Sequence, residues 1–107
     1  MRQAVRMIIE ARIRYEELYE IAERCLPHPV CGGPDSTDED FDRIRAWCER
    51  NLGPQFVNET VDPEDFTRIN LGARWFITID EDFWFAQGKD AVTALMLGRT
   101  FTQERLW

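Results

Sequence analysis

The chain has 107 residues, of which 44% are apolar, 12% aromatic and 31% charged, with a formal net charge of −7. That length fits one small domain spanning residues 1–107, and the composition lies far from that of a disordered chain. The negative balance disfavours direct binding to a nucleic-acid backbone, and no apolar run approaches the roughly 20 residues that span a bilayer.

The first residues run into alternating Arg and Glu and lack the apolar stretch of a secretion signal, so a soluble cytoplasmic protein is expected. In a reducing compartment, clustered cysteines bind metal or stay as thiols more often than they form disulfides.

Residues 2–25 read as one long helix. Val5, Ile8, Ile9, Ile13, Leu18, Ile21, Ala22 and Cys25 recur at three- and four-residue steps, and Glu10–Arg14 and Glu20–Arg24 are favourable pairs one turn apart. Pro27 and Pro29 end it, and residues 26–36 read as a loop. A second helix starts near Ser36 or Thr37 in a capping pattern and runs to about Asn51, where Gly53-Pro54 stops it. Asp62-Pro63-Glu64-Asp65 has the form of a third helix start. Residues 73–86 change period: Trp75, Ile77 and Ile79 alternate with Phe76 and Thr78, Asp80-Glu81-Asp82 turns, and Phe83-Trp84-Phe85 returns. This hairpin is apolar on both faces and needs cover on both. A last helix occupies 90–98. The expected fold is therefore α+β, mainly helical, with about four helices and one aromatic β-hairpin in a single small domain.

Charge is unevenly placed. Residues 1–34 and 66–107 each sum to zero, whereas residues 35–65 carry ten acids against Arg43, Arg45 and Arg50 and supply the whole net charge of −7. Such a segment is either a solvated face whose carboxylates complement helix N-termini, or a patch that docks a basic partner. Asp38, Glu39, Asp40, Asp42, Glu64 and Asp65 are its docking candidates, with Trp84 and Trp107 as exposed aromatic anchors. Asp38, Asp40, Asp42 and Glu49 also match the spacing of a calcium-binding loop, but Arg43 stands where that loop needs Gly.

All three cysteines and the only histidine are Cys25, His28, Cys31 and Cys48, a complete ligand set for one structural zinc ion. His28-Pro29-Val30-Cys31-Gly32 resembles the zinc-knuckle turn, with His in place of the first Cys. The resemblance covers five residues and implies a turn geometry only. Cys25 and Cys48 also fall on apolar helix faces, as buried thiols do. A labile disulfide from Cys31 to Cys25 or Cys48 is the remaining alternative.

The leading functional expectation is a small acidic interaction module, a regulator or inhibitor that docks a basic partner surface through residues 35–65. A phage-type inhibitor or a nucleic-acid mimic fits this size and charge. The alternative is a zinc-stabilised transcriptional or nucleic-acid-associated regulator that makes its contacts through Arg2, Arg6, Arg12 and Arg14. A small Cys/His enzyme using Cys25 or Cys31 with His28 ranks third, because no third orienting group and no phosphate loop or hydrolase motif accompanies them.

Overall fold

The computed structural model describes residues 10–33, 35–62, 66–78 and 80–103. The chain opens with strand β1 (Glu10–Arg14), a 3-10 turn (Tyr15–Glu17) and helix α1 (Leu18–Cys25), followed by β2 (His28–Gly32) and α2 (Asp38–Asn51). Then come β3 (Val57–Asp62), β4 (Phe66–Asn70), β5 (Trp75–Ile77), β6 (Phe83–Phe85), α3 (Gly88–Leu97) and β7 (Phe101–Thr102). The strands form two antiparallel sheets, one in the order β1-β4-β3 and one in the order β5-β6-β2-β7. With three α-helices against seven strands among the described residues, the fold is α+β but not mainly helical, contrary to the sequence expectation.

Three local readings account for that correction. From Glu10 on, the long N-terminal helix is replaced by β1, the 3-10 turn and a short α1, and residues 2–9 lie outside the described residues. Ala11 and Ile13 are half-buried while Arg12 and Arg14 are exposed, which is a period of two inside an apolar pattern that also fits 3.6. Pairing with β4 decides between them, with Ala11 opposite Ile69 and Ile13 opposite Thr67. The helix expected from Asp62 is overturned by β4, since Phe66–Asn70 is strand and Asp62 at the end of β3 stands opposite Phe66, while Pro63, Glu64 and Asp65 lie outside the described residues.

The third correction is the loop expected at 26–36, most of which is β2, an inner strand. Proline is normally confined to strand edges. The offset of the sheet removes the conflict: β6 pairs with His28, Pro29 and Val30, and β7 joins only at Cys31 and Gly32. At Pro29 the side away from β6 carries no strand among the described residues.

The other elements follow the sequence closely. Thr37 caps α2, its Oγ1 accepting from the Asp40 N–H at 3.2 Å, and Gly53 at φ 80° follows the helix end in the left-handed region. The hairpin pairs Trp75 with Phe85 and Ile77 with Phe83 on one face, and Phe76 with Trp84 on the other.

These two faces organise the core. On one side Val30, Trp75, Phe83, Phe85 and Phe101 pack with Ile44, Cys48 and Leu52 of the α2 segment and with Ala91 and Ala94 of α3. On the other, Phe76 and Trp84 pack with Leu18, Ala22 and Leu26 around α1 and with Phe56 and Ile69, which bring in the three-stranded sheet. The four-stranded sheet is thus covered by α2 and α3 on one face, and by α1 and the second sheet on the other. Among the described residues no helix is long and apolar enough to cross a membrane.

Candidate functional site

The four expected zinc ligands are divided by the four-stranded sheet. Side chains alternate along β2, so His28 and Val30 share one face, and Pro29 and Cys31 the other. His28 pairs with Phe85 and lies against Gly88 at the start of α3, and Cys48 belongs to the same α2–α3 core. Cys31 points the opposite way, and Cys25 packs on the α1 side. Two candidates therefore stand on each side of a packed layer, whereas zinc needs every ligand atom within about 2.3 Å of one point. Among the described residues no group of three or more Cys, His, Asp or Glu side chains is arranged to hold a metal ion. The same division keeps His28 away from Cys25 and Cys31 as a general base.

All three cysteines are free thiols. Burial, reinforced by the charges of Asp90 and Glu49, pushes the Cys48 thiol up to about 12. A thiol reagent at pH 8 should therefore modify half-buried Cys25 first and spare Cys31 and Cys48 until the protein unfolds. The loss of thiolate alone slows Cys48 by on the order of a thousandfold relative to an ordinary thiol. Parallel reaction of all three would contradict the packing, and protection of all three that is released by a chelator would show a metal the packing does not provide for.

The docking candidates also separate. Asp38, Glu39 and Asp42 are exposed on α2. Asp40 is buried and accepts hydrogen bonds from the Thr100 N–H at 3.0 Å, the Thr100 Oγ1 at 2.7 Å and Arg43 Nη1 at 2.6 Å. These bonds hold its carboxyl below the usual carboxylate value, with the Thr100 hydroxyl as the largest cause. Asp40 is a structural tie rather than a docking group. Trp84 is 8% exposed and meets Tyr19 and Phe76 edge-on at 5.7 and 6.0 Å, so it is not a projecting anchor. Glu64, Asp65, Trp107, Arg2 and Arg6 lie outside the described residues. Arg12 and Arg14 are exposed on the outer face of β1, where Arg68 of β4 stands directly opposite Arg12.

What the fold does build is a cleft of about 660 Å³ between α1 and the four-stranded sheet. Pro29 and Cys31 of β2 and Trp84 of β6 form its floor, and the pairing of Pro29 with Trp84 places them side by side. Tyr19 and Glu23, one turn apart on α1, form a wall with Leu26 and Pro27, and Asp80 and Gln103 complete the lining. A second cleft of about 390 Å³ is lined by Gly32, Gly33, Ser36, Thr37, Asp38, Phe41, Asp80, Glu81 and Phe101. Asp80 lines both.

The electrostatics of this pair of clefts are one-sided. Among the described residues Glu23, Asp80, Asp38 and Glu81 line them, and no Lys, Arg or His does. Four carboxylates elsewhere are matched, Glu20 with Arg24, Asp40 with Arg43, Glu49 with Arg45 and Asp90 with Arg74, whereas the exposed Glu16, Glu17, Asp35, Glu39 and Asp42 have no ion pair among the described residues. Among the described residues none of the four cleft carboxylates has an ion-pair partner. Glu81 also sits at φ 64°, the one non-glycine residue with positive φ among the described residues. The turn around it holds that conformation: Thr78 N–H donates to the Asp82 carbonyl at 2.9 Å, Glu81 N–H to the Thr78 carbonyl at 3.0 Å and Asp82 N–H to Thr78 Oγ1 at 3.1 Å. A left-handed Glu costs about 1 kcal/mol or more, and strain of this kind concentrates at binding sites.

Of the docking residues expected from the sequence, Asp38 and Trp84 line these clefts, whereas Glu23, Asp80, Glu81, Tyr19 and Gln103 were not among those expected. The acidic run Asp80-Glu81-Asp82 at a hairpin tip was the available signal for the second and third. No protein-family model, curated protein or solved structure matches this chain.

Proposed function

We propose that the protein is a small interaction module that regulates or inhibits a partner by docking a basic segment of it in the paired clefts around Asp80. The observation that carries this reading is the set of four cleft carboxylates that, among the described residues, have no counter-ion and no cation beside them in the lining, next to the apolar wall of the larger cleft. A cationic segment supplies the missing charges. Each exposed pair contributes only about 0.2–1 kcal/mol, so affinity rests on the apolar walls while the charges select the partner and speed its approach. The docking site moves from the solvent face of α2 to the clefts, and Asp38 alone of the α2 acids takes part.

Fluorescence anisotropy with an arginine- and leucine-containing peptide, and with its Glu-for-Arg counterpart, tests the reading. The basic peptide should bind, weaken as salt rises, and lose several-fold in affinity with Glu23→Gln or Asp80→Asn. Equal binding of the acidic peptide, or indifference to both substitutions, would sink it.

A further inference from the structure

We propose that the larger cleft takes an extended, proline-containing segment in the polyproline II conformation, with an arginine or lysine next to the prolines. This deepens the proposed docking function and rests on it.

Four observations select that occupant. The first is the shape of the lining. Tyr19 and Trp84 meet edge to face with their ring planes at 77°, so they present two differently oriented surfaces rather than one flat wall. Exposed Pro27 and Pro29 continue this surface. Ridged aromatic and proline surfaces of this kind accept the pyrrolidine rings of a polyproline helix, which has three residues per turn and so presents rings at regular intervals.

The second is the location of the cleft. It lies over Pro29, Cys31 and Trp84 of the four-stranded sheet, and the stretch of β2 that β7 leaves uncovered beside it carries Pro29. An added strand would need backbone groups at an edge, and Pro29 offers no N–H. A polyproline segment needs no ladder of backbone bonds, because its own amides are solvated.

The third is a donor. The Trp75 indole N–H donates to the Gly53 carbonyl at 2.8 Å, whereas no hydrogen bond from the Trp84 indole N–H occurs among the described residues. Trp84 is in the cleft and Trp75 is on the other face. Prolines have no N–H, so the polar demand of a proline segment is for donors to its carbonyls. The Trp84 N–H and the exposed amide of Gln103 are of the required kind.

The fourth is charge. Glu23 stands one helical turn from Tyr19, and Asp80 borders the same cleft, both without ion-pair partners among the described residues. A cationic side chain next to the proline run meets them, and its position relative to the prolines sets the direction of the bound chain. A polyproline segment is also already ordered before it binds, which lowers the entropic cost of filling a shallow cleft.

The test uses the full chain and three labelled peptides of equal length: one of proline and leucine with two arginines at one end, the same peptide with every proline replaced by alanine, and the proline peptide with its arginines replaced by glutamate. The first should bind about tenfold or more tighter than either of the others. Tyr19→Ala, Glu23→Gln and Trp84→Phe should each weaken it several-fold. Trp84→Phe keeps an aromatic ring but also removes volume from the core in which Trp84 packs, so the loss is assigned to the ligand through Glu23→Gln, a change at an exposed side chain that should not move the melting temperature. If the alanine peptide binds as tightly as the proline peptide and both depend on Glu23, the proline inference is overturned while basic docking stands. If neither arginine peptide binds, both readings fall. If the proline peptide binds but all three variants bind it unchanged, this cleft is not its site and the inference is again overturned.

Discussion

Replacing Phe56 by alanine should lower the free energy of unfolding by about 3–5 kcal/mol, a large share of the roughly 5–15 kcal/mol available to a domain. Phe56 is fully buried and belongs to no strand, yet it joins the two sheets. Its N–H donates to the Trp75 carbonyl at 2.8 Å, and its carbonyl accepts from the Asn70 N–H at 2.7 Å. β5, at the edge of one sheet, is thereby connected through one residue to the end of β4 in the other. The ring packs against Phe76 at 5.7 Å, on the sheet face that also carries Trp84. Alanine keeps the two backbone bonds and removes the ring, so the loss reads the packing between the sheets. Urea unfolding measures it, with an unchanged slope expected if the transition remains two-state. Phe56→Leu should cost markedly less, since most of the volume stays. A loss below about 1 kcal/mol for alanine would mean that the sheets do not depend on this joint.

Local signals in the sequence were sufficient where the structure is local. The Thr37 cap, the Gly53-Pro54 stop, the aromatic hairpin and the last helix each depend on residues within a few positions of one another. The errors concentrate where a distant strand decides. Ala11-Arg12-Ile13-Arg14 satisfies a helical and an extended pattern equally, and β4, more than fifty residues on, selects the second. His28-Pro29-Val30 reads as loop because proline argues against an inner strand, and only the stagger of β6 against β7 reconciles the two. Local propensity cannot register a partner that is far away in the chain.

The candidate site shows the same division. The cysteine and histidine spacing suggested convergence on one ion, but spacing says nothing about which face of a strand each residue takes. A strand at His28–Gly32 sends His28 and Cys31 to opposite sides, where a loop could have brought them together. The acidic middle third was real as composition, but three of the four unpaired cleft carboxylates, Glu23, Asp80 and Glu81, lie outside it. They converge because α1 and the hairpin turn meet at the same sheet face, a tertiary fact with no local signature.

Asp40→Asn should lower the melting temperature by several degrees and flatten its dependence on acid, while Asp38→Asn, two residues away on the exposed face, should leave stability nearly unchanged. Asp40 ties the first turn of α2 to the segment that leads into β7, through both the N–H and the hydroxyl of Thr100, and Arg43 closes the tie by also donating to the Leu97 carbonyl at 2.9 Å. The folded carboxyl titrates below the ordinary value of 3.8, so its stabilising contribution is fully present above that value and is lost as pH falls from there through the lower folded value. The gap in melting temperature between the native chain and Asp40→Asn should therefore be constant near neutrality and close below about pH 4. Thr100→Val breaks the same tie from the other side, so the double variant should lose less than the sum of the single losses. The contrast with Asp38 separates architecture from recognition: Asp38→Asn should weaken basic-peptide binding without moving the melting temperature, and Asp40→Asn should do the reverse at temperatures where the protein stays folded. If Asp40→Asn left the melting temperature untouched, the Thr100 network would carry no stability, and Asp40 would rejoin Asp38 among the carboxylates available to a partner.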